Sequence, residues 1–144
     1  MLQRILFLLM LIGLIGCSGG TSSYSVSIKN DLPRPVTIAL TKNGPPFEAA
    51  WASPEDVSAR RVSPENANGI QIVEAGKTAS VHNVAGRFDK STQAVLRVYS
   101  GAATFREMLD TPVGPGRVDV VLSPGKNDLV VREGSQGLLV EPRP

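Results

Sequence analysis

The sequence predicts an all-β fold: an antiparallel, immunoglobulin-like β-sandwich of about seven to eight short strands, with one short helix in a connection. Three observations carry that expectation. Short runs of alternating apolar and polar residues recur along the chain. Turn residues interrupt them at roughly eight- to twelve-residue intervals, the spacing of an antiparallel sandwich. The apolar supply is mostly Val, Ile, Leu and Ala, with aromatics at only 5%, a bias that suits strands. Helical segments alternating with strands, which a parallel sheet needs, are missing.

The elements follow in order. Tyr24, Val26 and Ile28 alternate with Ser25, Ser27 and Lys29, which describes a strand with one wet face. Asn30-Asp31-Leu32-Pro33-Arg34-Pro35 is a turn, because two prolines and an Asn-Asp pair cannot continue a ladder. Val36, Ile38 and Leu40 then alternate with Thr37, Ala39 and Thr41, so the two runs read as an antiparallel pair. Pro45 and Pro46 end the second run by withholding two backbone donors. Ser53-Pro54-Glu55-Asp56 marks a helix start, with Ser53 as N-cap and Pro54 in the first helical position. Arg60-Arg61 suit its last turn, and Ser63-Pro64 stops it.

Strands resume over residues 70–74 and 78–84 around Ala75-Gly76-Lys77, and again over residues 93–100. Residues 104–109 read either as a strand or as a helical turn. Residues 118–122 and 128–132 flank Ser123-Pro124-Gly125-Lys126, and residues 137–141 form a last strand. The Cys-Trp-Cys hallmark of antibody-type domains is absent, so the immunoglobulin likeness is one of architecture.

The N-terminus carries a different signal. Residues 1–17 read MLQRILFLLMLIGLIGC, with Arg4 ahead of an apolar run from 5 to 15. That run is too short for a hydrocarbon core, which needs ~20 helical residues. A charged start, a short apolar run and a small-residue exit are the marks of a secretory leader. Leu14-Ile15-Gly16-Cys17 resembles the lipobox of bacterial lipoproteins. The resemblance implies cleavage before Cys17 and a diacylglycerol on its thiol. The chain then divides into a leader (1–16), a lipidated flexible tether (17–23) and a sandwich domain (24–144). Ser18, where an Asp would imply inner-membrane retention, implies an outer-membrane anchor facing the periplasm.

Chemistry is sparse. Lys and Arg number 15 against 13 Asp and Glu, without a basic stripe, which argues against nucleic acid as a partner. Cys17 is the sole cysteine, so there is no internal disulfide. His82 is the sole histidine, has no Gly-x-Ser-x-Gly elbow to serve, and reads as an exposed strand residue rather than a catalytic base. No metal-ligand spacing or phosphate-binding loop is present, so neither metal nor cofactor is expected. The distinctive segment is residues 42–51, which hold Pro45, Pro46, Phe47 and Trp51, the only tryptophan. Two roles are open to it. The aromatics can plug one end of the sandwich, or the stiff loop can present them to a partner at little entropic cost.

The expected function is a non-catalytic binding or scaffold domain, held on a membrane by its N-terminal lipid and contacting an envelope protein. An inhibitor of a secreted hydrolase acting through residues 44–51, or a glycan-binding module, is the alternative.

Overall fold

The computed structural model describes residues 19–67 and 69–144. The leader expected over 1–16, and Cys17 with it, lie outside the described residues. Those described form eight strands in two four-stranded sheets, the all-β sandwich the sequence predicts. The first sheet holds β1 (Gly20–Asn30), β4 (Thr78–Phe88), β7 (Gly125–Gly134) and β8 (Gly137–Pro142), in the order β4-β1-β7-β8. The second holds β2 (Val36–Asn43), β3 (Ile70–Val73), β5 (Gln93–Ser100) and β6 (Arg117–Val121), in the order β3-β2-β5-β6. The core fills the space between them, with Val26 and Ile28 of β1, Leu129 and Val131 of β7, and Ile38 and Leu96 of the opposite sheet all buried. Burial of Tyr24, Val26 and Ile28 follows the alternation in the sequence.

The pairing differs from expectation. β1 and β2 are not an antiparallel pair; they lie in opposite sheets. β1 pairs antiparallel with β4 and parallel with β7, from Tyr24 opposite Gly125 to Asn30 opposite Val131. The immunoglobulin likeness therefore holds for two packed sheets but not for strand distribution, since constant-type domains keep their first two strands in one sheet. The cause is the corner at residues 31–35. Asn30 is fully buried, and its amide nitrogen donates to Arg34 O and Val73 O, each at 2.9 Å. Its side-chain oxygen accepts from Leu32 N at 3.0 Å, and Leu32 tucks into the core. Those bonds turn the chain out of one sheet and into the other.

Residues 20–23, expected in the tether, belong instead to a strand. β1 begins at Gly20, and residues 20–23 pair with Phe88 through Ala85 on β4. Backbone bonding places them in the ladder although Gly, Thr and Ser give no apolar signal.

Among the described residues, two α-helices rather than one occupy the connections. α1 (Pro54–Ser58) starts where expected, with Ser53 and Asp56 exchanging a capping box. It ends before Arg60, so no basic residue lies in its last turn. Arg60 instead takes a left-handed φ of 57° and closes the helix, with Arg61 N donating to Asp56 O at 2.9 Å. α2 (Phe105–Asp110) resolves the ambiguous segment at 104–109, capped by Thr104 and Glu107. Its Met108 packs on Ala39 and Tyr99, covering the outer face of the second sheet. Thr37 on that face is buried too; its hydroxyl donates to Gly101 O at 2.9 Å and accepts from Ala103 N at 2.8 Å.

Among the described residues, no helix is long and apolar enough to cross a membrane.

Candidate functional site

β2 runs toward the end of the sandwich where β1 starts, and delivers residues 44–51 there. The loop is fixed at three points. Thr92, buried in the β4–β5 connection, places its hydroxyl 2.6 Å from Pro45 O, to which it donates, and 2.9 Å from Asp89 Oδ1. Gly44 has φ +109°, and a Cβ there would sit 3.0 Å from Ser91 O, so only glycine fits that approach. Farther along, Lys42 Nζ bonds Glu48 and also donates to Arg87 O at 3.2 Å, while Glu48 Oε2 accepts from Arg87 N at 3.0 Å. The Lys42 side chain is only 2% exposed, and its ammonium lies 5.5 Å from the Phe88 ring centre.

Trp51 is the third anchor. It is 2% exposed and stands edge-on to Tyr24 and Phe88, with ring centres 5.3 and 5.1 Å away. Its indole N–H donates to Ala85 O at 2.9 Å. Gly86 makes room for it, since a Cβ at that position would lie 2.5 Å from the indole nitrogen. Of the two roles open to this segment, Trp51 takes that of core plug.

Phe47 separates from it. It is 46% exposed, with the Arg61 guanidinium 5.9 Å from its ring centre, and Pro45 and Pro46 beside it are exposed as well. The Pro45–Pro46 peptide bond is cis. Between this loop and Asp56 and Arg61 lies an open cleft of about 330 Å³. The structure thus brings Pro45, Pro46 and Phe47 together on one preorganised rim and sets the buried Trp51 into the wall of the same cleft. Glu48, and Arg61, which the sequence placed only in a helix's last turn, complete the rim. Only folding brings Arg61 back onto the ring.

Burial alone would raise the Glu48 carboxyl, but bonds from Lys42 and from Arg87 N outweigh it and hold the group below the usual range. A depressed carboxyl contributes stability that is present above its unfolded pKa of ~4.3 and is lost as pH falls through the folded value. Wild type is therefore expected to lose melting temperature more steeply than Glu48→Gln as pH drops below about 4. Thermal melts of both proteins across that range check it; parallel acid slopes would show that Glu48 does not hold the loop.

His82 is exposed on β4, beside Asn83, whose left-handed φ of 53° accompanies a register shift against β1. Cys17 lies outside the described residues. Among those described, no cluster of three or more His, Cys, Asp or Glu could hold a metal ion.

No protein-family model matches the chain, and no curated protein matches it. Solved structures that resemble it include two lipoproteins. One is the T6SS lipoprotein TssJ1 from Pseudomonas aeruginosa, with 11% identity and a TM-score of 0.40, over 87% of this chain and 98% of that one. The other is Serratia marcescens Lip, a membrane-bound component of the type VI secretion system, with 17% identity and a TM-score of 0.38, over 87% and 99%. Both likenesses are distant in sequence and in shape, and neither assigns a role to this chain.

Proposed function

We propose that the chain is a lipid-anchored, non-catalytic binding or scaffold module of the bacterial cell envelope, with Pro45, Pro46 and Phe47 as its contact element. The anchor is the lipid that the lipobox-like Leu14-Ile15-Gly16-Cys17 would place on Cys17, and the outer membrane, periplasmic face, is its expected site. The observation that carries the contact element is the loop's rigidity. Thr92, Lys42–Glu48 and Trp51 hold it, so little conformational freedom remains to be lost when Phe47 meets a partner. Catalysis plays no part in this reading, since the fixed groups around the loop are committed to one another: Glu48 to Lys42, Asp56 to Ser53 and Arg61.

The test is the mass of the mature protein from cells expressing the full chain. The expected N-terminal residue is Cys17 carrying a diacylglyceryl group, with residues 1–16 gone, and Cys17→Ser should leave the membrane fraction. An unmodified Cys17, or a wild-type protein that stays soluble, would reject the anchor and the reading built on it.

A further inference from the structure

The lipid and the exposed loop emerge at the same end of the sandwich. β1 starts at Gly20 and climbs away from that end, while β2 descends to it and turns into residues 44–51. The link between the two is short and traceable. A Cβ placed on Gly19 would lie 3.1 Å from Phe88 O and 3.3 Å from Asp89 Cβ. Asp89 Oδ1 is 2.9 Å from the Thr92 hydroxyl, and that hydroxyl is bonded to Pro45 O. Cys17 precedes Gly19 by two positions, so its Cα can stand at most about 7 Å from that of Gly19. A seven-residue flexible tether would let the domain tumble. β1 takes up residues 20–23, and that freedom goes with them.

We propose that the Pro45-Pro46-Phe47 rim rests on the phospholipid surface beside the anchor, so that the lipid and the loop together fix the domain's orientation on the membrane. The inference rests on the lipid at Cys17 proposed above and names the occupant of the same loop. Its chemistry suits a headgroup layer. Phe47 supplies an exposed aromatic ring, and Arg61 lies against that ring. Arg87 and Lys90 are exposed on the neighbouring end of β4 and its turn. An apolar side chain flanked by cations is the pattern of side chains that settle at the boundary between acyl chains and phosphates. Two of the nearby acids are paired with cations, Glu48 with Lys42 and Asp56 with Arg61, while Asp89 is turned inward onto Ser91 and Thr92. The opposite end, with residues 31–35 and 101–116, then faces away from the membrane and is free to meet other envelope components.

Because the lipid occupies the only native thiol, a cysteine introduced elsewhere can be spin-labelled alone. The lipidated mature protein would carry a nitroxide at Ala49→Cys, which leaves Phe47 in place, or at Val113→Cys on the far end. Both are reconstituted at high dilution in protein-free phosphatidylethanolamine–phosphatidylglycerol vesicles. The label at 49 is expected to lose most of its accessibility to a water-soluble relaxation agent, and the label at 113 to keep it. Adding Phe47→Ser should return accessibility to position 49. Equal accessibility at 49 and 113 in protein bound to the vesicles overturns the orientation while leaving the anchor standing. Protein without lipid that fails to bind vesicles overturns both. Protection of position 49 in cell envelopes but not in pure vesicles overturns the lipid occupant in favour of a protein.

Discussion

Replacing Trp51 with alanine is expected to cost about 3–5 kcal/mol of stability, the range for removing a large buried aromatic. The indole fills the end of the core against Tyr24 and Phe88, and its N–H satisfies the Ala85 carbonyl. Truncation leaves a cavity and an unpaired acceptor together. Gly86 cannot relieve the cavity, because it has no side chain to move into it. Denaturant unfolding followed by circular dichroism should show a lower midpoint with an unchanged slope. Phe47→Ala, at an exposed position, should stay within ~0.5 kcal/mol of wild type. If the two variants were equally stable, Trp51 would not be the plug the structure shows. The pair of variants also separates stability from contact. A loss of binding in Trp51→Ala would say little, whereas the same loss in Phe47→Ala would locate the contact surface.

Asn30→Ala carries the second large effect, expected at about 3–5 kcal/mol, since each buried polar group left unpaired costs about 1–3 kcal/mol. The substitution strips partners from Arg34 O, Val73 O and Leu32 N at once. These groups belong to the β1–β2 corner and to the end of β3, so the loss falls where the chain passes between sheets. Equilibrium unfolding measures the total, and hydrogen exchange at Leu32 should speed up beyond what the global loss explains. A cost below about 1 kcal/mol would mean that the corner holds without its amide.

What the sequence showed and what it concealed divide along physical lines. Faces were legible: Tyr24, Val26 and Ile28 point inward as their alternation requires, and in β5 Ala94, Leu96 and Val98 take the core side. Partners were not, because alternation says which way a side chain points and nothing about which strand lies alongside. β1 and β2 therefore read as a hairpin, whereas the buried Asn30 amide holds a corner between the two sheets. Residues 20–23 read as tether because Gly, Thr and Ser carry no apolar alternation, although their backbone pairs with β4. Helix α2 had a readable signature in Thr104-x-x-Glu107, a capping box that competed with an equally plausible strand pattern. In the candidate site, Pro45, Pro46 and Phe47 could be picked out by type. That Trp51 would turn inward depended on Gly86, 35 positions away in the chain and adjacent only after folding.

β1 is an inner strand, paired with β4 from Gly20 to Lys29 on one side and with β7 from Tyr24 to Asn30 on the other. Ladder bonds run across the strands, so a pull along β1 from its Gly20 end loads many of them in shear at once instead of peeling them one by one. A chain anchored through the residue three positions upstream would deliver tension along that axis. The domain would then resist mechanical extraction far better than its modest size suggests, and would act as a stiff post rather than a frayed end.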